Sequence, residues 1–481
     1  AGDAASRVAV WDGATLAQAA QRLRRVRVVG DGAGWQTTGS GALTALIVEH
    51  SSEGGGATDS RDVWGITRFD PTAADDHGMP VRAAAGTRVA DETLLDEPAV
   101  YPGASDSVVS DSLHQIVGVE MASTLSRFVH SWALQNFRLL FGDLPPNRPT
   151  MVRRRDVRAR VAALAPFFVQ GSEVVPVHAG DSLYWAVELY AASSTYPLSQ
   201  RFTILGDDRG YFHHAATALV HAASGRVRLV QSPSPEPVAA SWFARFPQLF
   251  VRATSLPAAL QAALPPATDG AHVQALAFSV AGFRADSLEA RHFASPDGAD
   301  SSTIHEPNHV ALPVTGVASL WPLLDDQERV RGVVAAGGGA QRITSWIPVV
   351  SDGQRWGAVM DRLRALDTSS RESGLVRSPL HAIPVGEHAL YVQAVFQWRP
   401  GGSPRLMRVE SLLGDSLHLG PTLPAALGTA APVRASELAP GDLRARADSL
   451  YQAMRDALRR GDWTAFGRAF DALGTALRPT P

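Results

Sequence analysis

The sequence predicts an α+β fold, mainly antiparallel sheets with packed helices and a C-terminal helical hairpin. Three observations carry that expectation. Short runs of alternating hydrophobicity, separated by Gly, Ser and Asp clusters, fill the first hundred residues and return between 173 and 398. Hairpin turns are signalled at Ala179 to Asp181 and at Ser224-Gly225, which makes neighbouring strands antiparallel. The last fifty residues instead repeat apolar side chains at steps of three and four. Three regions follow: a β-rich start over 1–100, a mixed α+β core over 101–430, and an αα-hairpin over 431–481.

In chain order, "RVAVW", "RVRVVG", "TALIVEH" and "DVWGITRF" read as short strands, and 51–60 ("SSEGGGATDS") as a loop. From Asp111 the period changes. Leu113, Ile116, Val117, Leu125, Phe128, Val129 and Trp132 form a helical stripe, as one long helix or a broken pair ending at Phe141 before Gly142. Residues 155–168 give a shorter amphipathic helix with Val157, Val161 and Leu164 on one face and Pro166 closing it.

The stretch "EVVPVHAGDSLYWAVELYAAS" then reads as strand, turn, strand. Alternation places Leu183, Trp185, Val187 and Leu189 on one side and Tyr184, Ala186, Glu188 and Tyr190 on the other. Residues 216–237 repeat the scheme, and 238–250 ("VAASWFARFPQLF") form a short aromatic helix docked on that sheet. "VQALAFSVAGF" and "ERVRGVVAAGGGAQRITSWIPVV" are expected as strands, with Gly337 to Gly339 a hairpin turn and one helix over 354–366. "EHALYVQAVFQW", 387–398, reads as a buried strand. At the end, Leu443, Leu450, Met454 and Leu458 line one helix, Gly461 stops it, and Asp462 caps a second carrying Trp463, Phe466, Phe470, Leu473 and Leu477.

Composition narrows the chemistry. The chain has 481 residues, 45% hydrophobic and 19% charged, with a formal net charge of −3, the balance of a globular protein with no nucleic-acid partner. It contains no cysteine, which excludes disulfides, thiolate nucleophiles and cysteine-ligated metals. It also contains no lysine, since all 44 basic residues are Arg, so Schiff-base chemistry and a lysine-bearing phosphate loop are excluded. The run "RRRDVRAR", 153–160, is expected to open a helix rather than grip phosphate. The stretch 307–324, free of charge, holds Pro307, Pro313 and Pro322 and belongs to a folded core or its surface rather than a bilayer. "AGDAASRVAVWDG" has neither the basic nor the apolar part of a signal peptide, so such a signal is expected to be already removed or never present.

Candidate sites are few. His213 and His214 are neighbours on a strand and point to opposite faces, which makes a poor chelate. His305, Glu306 and His309 have spacing that suits zinc on a helix, but Pro307 turns the segment into a loop. Asp70, Asp75 and Asp76 lack the spacing of a calcium loop. Glu188, paired with Asp181 or Asp208, is the candidate for acid and base. No catalytic residue, cofactor or metal is assigned. The apolar seam of Trp463, Phe466, Phe470 and Leu473 is the candidate partner-docking face.

Five blocks carry a family resemblance: "RRRDVRARVAALAPFF", "DSLYWAVELYAASSTYPLS", "ALVHAASGRVRLVQSPSPEPVAASWFARFPQLF", "IPVGEHALYVQAVFQW" and "ALRRGDWTAFGRAFDAL". In this order they resemble the extracytoplasmic domain of a widespread, functionally uncharacterised bacterial membrane-protein family over residues 98–477. That resemblance implies several amino-terminal transmembrane helices with no counterpart in this sequence. Two motifs depart from the family's pattern. Pro102 and Ala104 stand where a tyrosine and an acid are usual, and Ala191, Ala192 and Ser193 precede Tyr196, Pro197, Leu198 and Ser199.

The function expected from these readings is that of a non-catalytic accessory or structural subunit. It would sit peripherally on the periplasmic or extracytoplasmic face of a bacterial membrane. Its partners would be the membrane-embedded subunits of a complex such as a respiratory or photosynthetic assembly. The alternatives are an envelope-acting, glycan-type hydrolase using paired carboxylates, and a small-ligand carrier.

Overall fold

The computed structural model describes residues 7–427 apart from 40, 54–60, 84–91, 96, 112–114, 143, 146–147, 282–306, 313–315, 326, 350–353, 367–374 and 400. The chain divides into two compact units, Ala1–Gly428 and Thr429–Pro481, and the described residues belong to the first. The predicted C-terminal hairpin lies outside the described residues.

The fold is α+β with mostly antiparallel sheets. Helix α1 (Gly13–Arg24) starts where the Asp12 carboxylate accepts a 2.7 Å bond from the Thr15 amide. This helix was not read from the sequence, where its small Ala-rich turns sit among strand patterns. Strands β1 (Arg27–Thr37), β2 (Leu43–Glu53), β3 (Arg61–Ala74) and β4 (Pro80–Arg82) follow in that spatial order, with β5 (Glu92–Leu95) also on β3. Strands β6 (Ser107–Ser110), β7 (Val119–Glu120) and β8 (Pro149–Val152) make a small sheet in the order β6-β8-β7.

Between β7 and β8 lie α2 (Thr124–Ala133) and α3 (Arg138–Phe141), the broken pair among the two expected alternatives, but starting at Thr124 rather than near Asp111. Pairing of Val119 and Glu120 with β8 and a Met121 N to Pro149 O bond of 2.7 Å extend the chain first. Ser123 then caps α2, and the left-handed backbone of Gln135 (φ 53°) separates α2 from α3.

Helix α4 (Val157–Leu164), capped by Asp156, leads into the central sheet. Its strands are β9 (Val169–Ala179), β10 (Ser182–Ser193), β13 (Tyr211–His221), β14 (Val227–Gln231) and β15 (Phe250–Val251), in the order β15-β14-β13-β10-β9. A small hairpin, β11 (Phe202–Ile204) with β12 (Asp207–Arg209), interrupts it, and α5 (Pro237–Arg245) is the aromatic helix expected over 238–250, ending earlier because Phe250 pairs in β15.

Helices α6 (Ala258–Ala262) and α7 (Thr268–Ala281) come next. Helix α7 overturns the strand expected for "VQALAFSVAGF". Its residues Ala271 and Ala275 pack on Trp321, Leu323 and Val334, and a short apolar run does not by itself tell a helix from a strand.

A meander of β16 (Asn308–Leu312), β17 (Gly316–Leu324), β18 (Val330–Gly337) and β19 (Thr344–Pro348) follows, then α8 (Trp356–Arg364). The last sheet holds β20 (Leu375–Arg377), β21 (His381–Val385), β22 (His388–Gln397), β23 (Arg405–Leu413) and β24 (Ser416–Gly420), before the short α9 (Leu423–Ala426).

The first sheet is buried on both faces. Ala45 and Ile47 of β2 join a core with Trp11, Leu16, Val333 and Phe396, while Leu46 and Val48 join another with Trp185, Leu189 and Val161. That double burial explains why "TALIV" is continuously apolar rather than alternating. Gly34 permits the close approach of β1 to β9, because a Cβ there would collide with the Pro176 carbonyl oxygen.

Candidate functional site

The hairpin of β9 and β10 carries a buried polar centre. Register places Glu188 opposite Thr217, and Tyr190 opposite His214. The Thr217 hydroxyl donates to the Glu188 carboxylate at 2.9 Å, His214 Nε2 also contacts that carboxylate, and Arg342 Nη1 reaches it at 3.2 Å from the β18–β19 turn. Burial pushes the Glu188 carboxyl up, but the Arg342 guanidinium, His214 and the Thr217 bond together hold it below the usual carboxylate range. Arg342 itself is buried, with a left-handed backbone (φ 44°).

Next to this centre is a cavity of about 30 Å³, bordered by Trp35, Glu173, Glu188, Tyr190, Asp269 and His309. It is the size of a water site rather than an organic ligand. Asp269 accepts bonds from the Ser172 amide and hydroxyl, both at 2.7 Å, yet burial raises its pKa. His309 stacks on Trp35 with centroids 4.4 Å apart, and burial lowers its pKa to about 3, so it is neutral.

Glu173 borders the cavity and also a cleft of about 400 Å³ shared with Asp12, Asp31, Arg377, Phe396 and Trp398. Burial, then the charges of Asp269 and Asp31, raise Glu173 to about 7. Asp31 is close by, since its carboxylate accepts from the Val174 amide at 2.8 Å and from Arg158 at 3.0 Å.

A different feature lies on the outside. Helix α2 turns its polar side inward: Ser131 is buried and donates to the Asn136 carbonyl, Ser126 donates to that of Glu120, and Arg127 to that of Met121. Its apolar stripe faces out, with Leu125 72% exposed, Trp132 67% exposed, and Phe128 and Val129 about half exposed. Phe137 and Phe141 extend the patch, Phe141 being 82% exposed. Leu139 is the buried apolar residue of α3, packing on Met121 and Met151. A helix of ordinary amphipathicity would be turned the other way round, and contiguous apolar exposure of this kind marks an interaction surface.

The sequence candidates are dispersed. Asp181 sits in the exposed β9–β10 turn, seven residues or about 23 Å along the strand from Glu188. Asp208 is in the exposed hairpin beyond Ser193, itself about 16 Å from Glu188, and bonds Thr203. Neither acid meets Glu188, whose carboxylate faces Arg342 instead.

His213 is exposed while His214 points in, as strand alternation requires. Asp70 and Asp75 accept backbone amide bonds within their own turns. His309 lies in β16, and His305 and Glu306 fall outside the described residues, as do Trp463, Phe466, Phe470 and Leu473. Among the described residues no cluster of His, Asp and Glu is arranged to hold a metal, and no helix is long and apolar enough to cross a membrane. Sequence reasoning missed Arg342, Glu173 and Asp269, which come together only through contacts between separate sheets and helices. The α2 stripe was legible, but its outward direction was not.

Fold and surface together define an antiparallel-sheet α+β domain with a buried ion-pair centre and an apolar helix face turned to solvent. Residues 97–279 match the model of the Uncharacterised protein family (UPF0182). Curated UPF0182 proteins match far beyond that segment. One from Pelotomaculum thermopropionicum is 22% identical over 424 residues, covering 78% of this chain and 45% of the relative. One from Synechococcus sp. (strain CC9902) is 26% identical over 448 residues, 81% of this chain and 46% of the relative. One from Cupriavidus necator is 22% identical over 480 residues, 92% of this chain and 52% of the relative. The resemblance carried by the five sequence blocks is therefore to this uncharacterised bacterial family, and the chain spans about half the length of these relatives. No solved structure matches.

Proposed function

We propose that this chain is a non-catalytic accessory domain on the extracytoplasmic side of a bacterial membrane, docking on membrane-embedded subunits through the face of α2 and α3. The observation that carries this reading is the outward stripe of Leu125, Phe128, Val129, Trp132 and Phe141 on a helix anchored by its polar side. Chain length supports it, since relatives about twice as long leave room for a membrane-embedded portion on another segment or chain. Detergent extraction and affinity purification of the tagged protein test it. Membrane-embedded subunits should co-purify with the wild type and be lost from Phe128→Ser/Trp132→Ser/Phe141→Ser at unchanged circular dichroism. A wild type that runs alone and monodisperse from native membranes would overturn the reading.

A second reading, hydrolysis of an envelope glycan, is favoured by one observation. Glu173, protonated to about pH 7, borders a cleft of about 400 Å³ with Asp31 and Trp398. A protonated carboxyl sharing a cleft with a second carboxyl group is the pairing that glycosidic cleavage uses. Glu173→Gln should then abolish release of reducing ends from purified envelope glycan, and an inert wild type removes this reading.

A further inference from the structure

On the surface beside β7, a pocket of about 550 Å³ is bordered by Arg153, Arg154, Arg160, Arg226 and Arg228, with Val117 at its edge and no carboxylate among the residues that border it. Two separate stretches build it. Arg153 and Arg154 precede the Asp156 cap of α4, whereas Arg226 and Arg228 come from the β13–β14 turn and the start of β14. Arg160 ties the two together, donating to the carbonyls of Arg153 (2.8 Å), Arg154 (2.9 Å) and Gly225 (3.0 Å). Its N–H groups are thus engaged by carbonyls, and its positive charge adds to that of the four arginines around it. Burial lowers its proton affinity, the Asp106 charge offsets part of this, and the Arg154 charge adds to it.

Arg153, Arg154, Arg226 and Arg228 are exposed and make no ion pair among the described residues. Arg154 moreover holds a left-handed backbone (φ 51°), which an L-residue rarely adopts. Guanidinium groups gathered within roughly one screening length repel one another unless an anion joins them. Their planar, weakly hydrated donor forks match phosphate oxygens in pairs.

We propose that this pocket binds the phosphate of an anionic phospholipid headgroup. The apolar flank argues for lipid over free phosphate. Val117, 48% exposed, borders the pocket, and the chain runs from it through exposed Val119 to the outward stripe of α2. A basic pocket joined along the chain to exposed Leu, Phe and Trp has the composition of a membrane-interface surface, where cations meet headgroups and apolar side chains enter the acyl boundary.

This inference rests on the docking reading only in placing the face at a membrane, and protein-free vesicles separate the two. The intact purified protein is sedimented with phosphatidylcholine vesicles with and without phosphatidylglycerol. Binding should require phosphatidylglycerol and weaken at least about tenfold in Arg153→Gln/Arg226→Gln/Arg228→Gln, whose side chains make no internal bond, so folding is retained. Trp132→Ser should weaken binding while leaving its dependence on phosphatidylglycerol. Equal binding to both vesicle types, or phosphatidylglycerol binding indifferent to the arginine substitutions, overturns the proposal. So does calorimetric binding of inorganic phosphate without any vesicle binding, which assigns the pocket to a free anion. Vesicle binding of the expected kind with no co-purifying subunit keeps the headgroup site and removes the protein-docking reading.

Discussion

At the scale of single residues, Glu188 and Arg342 illustrate how a buried charge pair is sensitive to the loss of one member. Removing one partner leaves the other charge without compensation in a low-dielectric site, which costs about 3–5 kcal/mol. Arg342→Ala should lower the urea midpoint accordingly, and adding Glu188→Gln should recover part of the loss. A change under about 1 kcal/mol would mean that water screens the pair.

Glu173 makes the opposite case. Its carboxyl titrates near 4.5 when unfolded and about 7 when folded, so the folded state holds the proton more tightly. Its stabilisation is complete below pH 4.5 and is lost as the pH rises through 7, by at most about 3 kcal/mol. Glu173→Gln should flatten the stability profile between pH 5 and pH 7.5, read by denaturant titration. An unchanged slope would place the titrating group elsewhere.

At the scale of elements, two apolar stripes of similar composition behave differently because their surroundings differ. Strand β2 is covered on both faces, so Leu46→Ala and Ile47→Ala should each cost about 2–5 kcal/mol despite pointing in opposite directions. Trp132→Ser on α2 should change stability by less than about 0.5 kcal/mol, because the indole is 67% exposed and touches no core. Thermal unfolding of the three variants checks this contrast, and a large loss in Trp132→Ser would show that the stripe packs inward in solution.

At the scale of the whole unit, the proposed headgroup binding would have two parts, the arginine pocket and the α2 stripe, that respond differently to salt. The screening length falls from about 10 Å at 0.1 M to about 3 Å at 1 M, so the contribution of the arginines fades while that of the apolar side chains persists. Vesicle binding should therefore decline with salt to a floor that Trp132→Ser lowers and the arginine substitutions do not. A profile that is flat in salt would separate the arginines from membrane binding.

What the sequence determined by itself is the class of fold and most of its local pieces. The β9–β10 and β13–β14 hairpins, the aromatic α5 and the buried β22 were legible because alternation, turn residues and caps act between near neighbours. Helix α7 was misread because a short apolar run does not by itself tell a helix from a strand, and α1 was passed over among strand patterns. Only the tertiary structure decided that Arg342 reaches Glu188 across 154 positions, that Asp269 caps the cavity of Glu173, and that Arg226 and Arg228 join Arg153 and Arg154. It also decided which way the stripe of α2 faces. Periodicity fixes that a helix has two sides, but the neighbours that choose the inner one arrive from β7, from Met121 just after it and from the turn at Asn136, and their carbonyls accept the hydrogen bonds of Ser126, Arg127 and Ser131 that hold the polar side in.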